Sequence, residues 1–313
     1  METSTSAKGA MPLEHLGMVG YGEVGKIFAA GLKDRMRSVC AWDLKFEPGT
    51  APAGTREAEL AHAMQAGVRA SASMQDLCEA ADFIISAVTA SSTLAVAQQA
   101  SPHLRAGTIF LDLNSASPGT KQQAARVIEA AGAHYVEAGV MTSVPPYGIQ
   151  VPMLLGGAQA QALSTSLNGF GMDAKPVAAA IGVASAIKMC RSVMIKGLEA
   201  LVIESYTTAR TYGVEAYMIP TLAETFPAID WEKQGAYFFS RVAQHGKRRA
   251  EEMREAANTV REAGFEPWMA AAIAVKHDWV AQQGRDGAFD GLPKGASWQQ
   301  FADRLIARTA APE

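Results

Sequence analysis

The sequence predicts an α/β chain, an open, doubly wound parallel sheet followed by an all-helical C-terminal domain. Three observations carry this. Short apolar runs alternate with helix-spaced stretches as far as residue 180; a GxGxxG sits where the first run meets the first helix; and beyond Ile181 nearly every segment reads as helix. At 313 residues the chain is roughly twice the size of one compact domain. The expected division is a flexible N-terminus over 1–12, an α/β domain over 13–180 and a helical domain over 181–313.

Each element has its own local reason. His15–Val19 is a short apolar run suited to a buried strand, and in the following GYGEVGKIFAAGL, Val24, Phe28 and Leu32 recur at helical spacing. A second strand, Ser38–Trp42, ends at Asp43. A stretch rich in proline and glycine (Pro48, Gly49, Pro52, Gly54) then gives way to a helix over Arg56–Ala66. Asp82 precedes FIISAV, another buried strand, with Thr93–Ala100 as its helix. Thr108–Leu113 is the next strand, and Pro118 opens the helix that follows, because proline is tolerated in a first helical turn. His134–Ala138, Met153–Gly156 and Lys175–Ala179 continue the strand pattern. Between the first two of these lies MTSVPPYG, whose paired prolines favour an extended, constrained loop. The alternation predicts parallel βαβ units rather than antiparallel hairpins. Helices are then expected over Val183–Tyr212, Ala216–Phe226, Tyr237–Ala263, Trp268–Gln283 and from Trp298 onward.

Composition removes several classes of function. Hydrophobic residues make up 49% and charged residues 19%, which suits substantial cores and argues against a disordered chain. The 28 Lys and Arg against 31 Asp and Glu leave a net charge of −3, so no broad basic surface invites nucleic acid. Cys40, Cys78 and Cys190 form no CxxC and leave one over after any pairing, which points to a cytoplasmic protein. The six histidines are dispersed and no metal site is expected. The N-terminal METSTSAKGAMPLEH lacks a signal peptide's apolar centre, and no run approaches the ~20 apolar residues of a membrane span.

The glycine motif points to a dinucleotide. Gly20 permits the tight turn, Gly22 lets a pyrophosphate approach the backbone, and Gly25 allows the helix to pack close to the strand. Phosphates would meet the backbone amides of the helix N-terminus. Asp43, at the end of the second strand, stands where a carboxylate would bind the adenosine ribose hydroxyls. It opposes a ribose phosphate, so NAD is favoured, while the nearby Lys45 keeps NADP open. The alternative is that the glycines merely make a turn and Asp43 caps an element. The expected cofactor set of this Rossmann-type domain is Gly20, Tyr21, Gly22, Glu23, Val24, Gly25, Asp43, Val88 and Thr89, with the Glu23 side chain turned to solvent.

From LGMVGYGEVG onward the sequence resembles the β-hydroxyacid dehydrogenase superfamily, which includes 3-hydroxyisobutyrate and 6-phosphogluconate dehydrogenases. In DLNSASPGT, Asn114 and Ser115 match that family's substrate-contacting pair, commonly Ser-Thr, with a helix cap as the other reading, above all for Ser117. In YVEAGVMTSVPPYGIQVPMLLGG, Glu137 replaces a family Asp, Met141, Thr142 and Ser143 replace a Ser-Gly-Gly substrate loop, and Gly156–Gly157 is retained. In IGVASAIKMCRS, Lys188 falls on the family's catalytic lysine of Lys-x-x-Asn-Asn, while Arg191 and Ser192 stand in place of the asparagines. A lysine snorkelling from a helix margin is the ordinary alternative for Lys188. In HGKRRAEEMREA, Arg248 aligns with a family lysine that approaches substrate; the bland reading is an ion-laced surface pairing Arg248 with Glu251 and Glu252.

The resemblance implies reversible oxidation of a small anionic hydroxyacid or polar alcohol. Lys188 would be the general acid/base, Asn114, Ser115, Thr142, Ser143, Arg191, Ser192 and Arg248 would hold substrate, and NAD would be the cofactor. It also implies a homodimer through the helical domain. Imine reduction, oxidative decarboxylation and a nonenzymatic NAD-binding sensor are the alternatives.

Overall fold

The computed structural model describes residues 11–309. The flexible terminus expected over 1–12 lies almost wholly outside the described residues. The chain divides into two compact units, Met1–Met189 and Cys190–Glu313.

The first unit is built on one eight-stranded sheet in the order β3-β2-β1-β4-β5-β6-β7-β8. Its elements in chain order are β1 (His15–Val19), α1 (Glu23–Leu32), β2 (Ser38–Trp42), α2 (Thr55–Gln65), β3 (Arg69–Ala70), α3 (Met74–Ala80), β4 (Phe83–Ser86), α4 (Thr93–Ala100), β5 (Ile109–Asp112), α5 (Pro118–Ala130), β6 (His134–Val140), β7 (Met153–Gly156), α6 (Ala160–Gly169) and β8 (Ala174–Ala178). The reversal of strand order beside β1 puts the ends of β1 and β4 next to each other, the crevice where doubly wound sheets bind ligands. Two apolar clusters hold the sheet. One gathers Leu16, Met18, Phe28 and Leu111, the other Val19, Trp42, Ile84 and Phe110. Alternate residues of β1 thus enter different clusters, as the two faces of a doubly covered sheet require.

One pairing departs from the parallel expectation. β6 and β7 run antiparallel, with Glu137 opposite Gly156 and Val140 opposite Met153. The connection between them carries only a short 3-10 turn, Gly148–Gln150, and no helix to cross the sheet. β3, α3 and α6 are additions to the expected elements. Each is short or polar, and α6 buries only a stripe that includes Leu163 and Leu167. A helix-start signal does precede α3: Ser73 accepts from the Asp76 amide three residues on, at 3.1 Å.

The long helix α7 (Val183–Tyr212) continues from the first unit into the second, which holds α8 (Glu215–Thr225), α9 (Trp231–Glu262), α10 (Trp268–Arg285) and α11 (Trp298–Thr309). Its core gathers Tyr206, Phe239, Val242, Val280, Trp298 and Phe301. α9 starts at Trp231, earlier than the apolar pattern suggests, because Asp230 caps it by accepting from the Lys233 amide at 3.0 Å. Among the described residues no helix is long and apolar enough to cross a membrane.

Candidate active site

The turn after β1 is shaped by its glycines. Gly20 adopts φ +92°, and a Cβ there would lie 2.5 Å from the Ala87 carbonyl oxygen beyond β4. A Cβ at Gly25 would strike the Gly20 carbonyl oxygen, so this position has no room for any side chain. Over Gly22 the space is open, with nothing within 4 Å of a Cβ. Gly22 precedes α1, so the helix's unpaired amides face a backbone that a phosphate can approach. These features fit a dinucleotide pyrophosphate. Glu23 is exposed, as expected, and Val24 begins the buried side of α1.

Asp43 is tied to this turn. One carboxylate oxygen accepts from the Tyr21 amide at 2.7 Å and the other from the Lys45 amide at 2.9 Å. Each oxygen retains capacity for a second donor. Asp43 therefore caps and braces the loop, and can still meet a ribose hydroxyl. Tyr21 is buried and its hydroxyl lies 3.2 Å from His62 Nδ1; burial pushes its phenol above the usual range, with Glu59 adding to the shift. Lys45 approaches Glu59 at 3.7 Å, and Lys26 pairs with the same carboxylate at 2.7 Å. Val88 and Thr89 lie after β4, opposite the glycine turn.

A buried polar network supports the loop after β5. Asp112 pairs with Lys121 Nζ at 2.9 Å, accepts from the Tyr135 hydroxyl at 2.5 Å, and accepts from the Asn114 amide at 2.8 Å. Burial, and then the Asp112 charge, raise the Tyr135 phenol well above its ordinary value. The Asn114 side chain accepts from the Val88 amide at 2.7 Å and donates to Ser86 Oγ at 3.0 Å, which locks the β4 and β5 loops together. Ser117 caps α5 by accepting from the Thr120 amide at 3.2 Å. On this braced loop, Ser115 Oγ accepts from Lys188 Nζ at 2.6 Å. Two side chains 73 residues apart, both singled out in the sequence, are thus in direct contact.

The start of α7 rests on β6. The buried Glu137 carboxylate accepts from the amides of Gly182 at 2.7 Å, Ala184 at 3.0 Å and Ser185 at 3.3 Å. Gly139, two residues on, lets the helix approach. A Cβ there would lie 2.9 Å from the Ala184 carbonyl oxygen and 3.5 Å from Lys188 Cβ. Thr142 is exposed and Ser143 half-buried on the loop that joins β6 to β7.

In the helical unit, two further candidates are linked through Glu252, a partner the sequence offers Arg248, and through Lys196, which it does not single out. Ser192 Oγ accepts from Lys196 Nζ at 3.2 Å, Lys196 pairs with Glu252 at 2.8 Å, and Glu252 meets Arg248 at 3.8 Å. Lys196 follows Ser192 by one helical turn, so i,i+4 spacing is the signal that points to it. Arg191 is exposed. Deeper in the same unit Arg249 grips Glu199 with two guanidinium nitrogens. His277 is fully buried beside this pair, both ring nitrogens lack a hydrogen-bond partner, and burial pushes its pKa down to about 3.

The family described as the NAD binding domain of 6-phosphogluconate dehydrogenase matches residues 15–166. A domain of unknown function, DUF1932, matches residues 209–280. Among solved structures, a conserved hypothetical protein from Sinorhizobium meliloti is 35% identical and covers 96% of this chain and 98% of its own, with a TM-score of 0.74. A conserved protein of unknown function, noted for structural similarity with 3-hydroxyacid dehydrogenases, is 30% identical and covers 87% of this chain and 98% of its own, with a TM-score of 0.66. The 3-hydroxyisobutyrate dehydrogenase of Salmonella typhimurium is 15% identical, covers 93% of this chain and 99% of its own, and has a TM-score of 0.63. At that identity the likeness is one of fold.

Proposed function

Because the chain belongs to the Rossmann-fold, NAD-binding dehydrogenase superfamily of the 3-hydroxyisobutyrate and 6-phosphogluconate dehydrogenases, we propose that it reversibly oxidises a small anionic hydroxyacid or related polar alcohol, with Lys188 as general acid/base. The observation that carries this reading is the 2.6 Å hydrogen bond between Lys188 Nζ and Ser115 Oγ. It pairs a proton-transfer group with a polar side chain on a rigid loop. A bound nicotinamide cofactor supplies the hydride acceptor in oxidation and the hydride donor in reduction. The protein's part is to move the proton. Lys188 takes it from the substrate hydroxyl in oxidation and returns it to the oxygen in reduction, while Ser115 keeps that oxygen within reach. Asn114 serves substrate by fixing the loop on which Ser115 stands. Thr142 and Ser143 are further proposed substrate contacts; Ser192, Arg191 and Arg248 of the helical unit are proposed as well, the two guanidinium groups being suited to an anion.

NAD is the preferred cofactor, supported by Asp43, whose carboxylate would repel a ribose phosphate, and by Lys45, whose ammonium approaches Glu59 at 3.7 Å. A homodimer through the helical unit is supported by its exposed aromatic side chains, Tyr217, Tyr237, Phe265 and Trp268 among them. A cytoplasmic location is supported by three unpaired thiols.

The test is a panel of small hydroxyacids, sugar acids and aromatic alcohols, assayed with NAD and with NADP. At least one anionic hydroxyacid should be oxidised with NAD. Lys188→Ala should lower turnover by roughly 10²–10⁴-fold with NAD binding intact. Undiminished turnover in a folded Lys188→Ala protein refutes the mechanism, and NAD binding with no hydride transfer across the panel identifies a sensor.

A further inference from the structure

We infer that Glu137 is the positioning residue for Lys188: it caps α7 from the neighbouring strand and so sets where the lysine stands relative to Ser115. A helix begins with amides that have no partner within the helix, and a Ser, Thr, Asp or Asn just ahead of it usually accepts from them. Gly182, immediately before α7, has no side chain to do so, and its φ of +110° is one that glycine adopts readily. The acceptor comes instead from β6, 45 residues earlier, as the Glu137 carboxylate bonded to three amides at the start of the helix. Its negative charge meets the positive end of the helix dipole.

The surroundings are shaped for this carboxylate. Gly156 faces Glu137 across the antiparallel pair, and a Cβ at Gly156 would lie 2.6 Å from Glu137 Oε1. Gly139 presents the same face of β6 and admits the α7 backbone beneath Lys188. In the parallel pairing with β5, Glu137 sits opposite Asp112. That carboxylate is already engaged by Lys121, Tyr135 and the Asn114 amide, and it anchors the loop of Ser115. Two register partners on adjacent strands therefore hold the two halves of the Lys188–Ser115 contact. Asp112 fixes the serine's loop and Glu137 fixes the lysine's helix.

The consequence for catalysis rests on the dehydrogenase reading; the positioning itself does not, and it is tested without substrate. Protein carrying 13C at lysine Cε gives a Lys188 resonance, identified by its loss in Lys188→Met. In Glu137→Ala and in Gly156→Ala, which displaces the carboxylate without removing it, this resonance should move towards its position in Ser115→Ala, while that of Lys26 stays in place. Glu137→Gln keeps the volume but turns an amide donor towards the Ser185 N–H, so exchange of that amide should accelerate by about tenfold or more, with Gly182 less affected. Glu137→Gln carries the test if Glu137→Ala does not fold. An unmoved Lys188 resonance in folded Glu137→Ala or Gly156→Ala, or undisturbed Ser185 exchange in Glu137→Gln, overturns the proposal. If a substrate is found, Glu137→Gln should lower kcat on the order of 10²-fold with the Kd for NAD unchanged. Should the whole substrate panel fail, the dehydrogenase reading falls and the resonance still decides the role of Glu137.

Discussion

Gly25 and Gly22 serve one turn for different physical reasons, and substitution separates them. At Gly25 a methyl group would strike the Gly20 carbonyl, so α1 must shift away from β1. At Gly22 it would meet no protein atom within 4 Å and would occupy only the approach to the backbone. Gly25→Ala should therefore lower Tm and weaken NAD binding together. Gly22→Ala should leave Tm unchanged and weaken NAD binding by ~10-fold or more, equivalent to about 1.4 kcal/mol. Calorimetric titration beside thermal unfolding checks the pair. Equal behaviour of the two variants would show that the turn is purely structural.

Among elements, the loop between β5 and α5 depends most on a buried charge. Lys121 and Asp112 are each 1% exposed, and the lysine also donates to the Asp112 carbonyl at 3.1 Å. Removing one member of such a pair strands the other in a medium that solvates it poorly. Lys121→Met should cost roughly 3–5 kcal/mol in urea unfolding, even though methionine is the better core residue. Tyr135→Phe removes one donor from the same carboxylate and should cost less, about 1–3 kcal/mol. A Lys121→Met protein as stable as the parent would mean that Asp112 finds other donors and the loop is not held as described. The same loop carries Ser115, which accepts from Lys188.

For the molecule as a whole, each unit has its own apolar core, and the helical one carries an acid-sensitive group. His277 is held neutral with its pKa near 3, against an ordinary value of about 6.5. Between those values the unfolded chain binds a proton that the folded chain refuses. Stability therefore falls as pH drops through that window, by up to about 1.4 kcal/mol per pH unit, and is unaffected by this group above it. His277→Leu removes the group and the two unpaired nitrogens with it. Its urea midpoint, followed by helical circular dichroism, should decline less steeply than the parent's between about pH 6 and pH 4. Identical slopes would assign the acid sensitivity elsewhere.

Much of this protein is legible in sequence because its signals are local. β1, β2, β7, α4 and α7 have the bounds that apolar runs and helical spacing imply. The glycine turn is readable because its residues must tolerate conformations or close approaches that side chains forbid. Elements without a strong local pattern escape: β3 is two residues long, and α6 is rich in serine. Lys196 escapes for another reason: it reads as an ordinary surface charge until the packing of α7 and α9 brings it to 2.8 Å from Glu252, which the sequence pairs only with Arg248. The α/β-then-helical class, the glycine turn, and the candidacy of Asp43 and Lys188 can all be read from local residue patterns. The packed chain was needed to reveal that β7 runs against β6, that Lys188 meets Ser115, and that a glutamate on a strand caps the lysine's helix. Those facts depend on strand register and on how closely two backbones approach, and neither is encoded in any short window of residues.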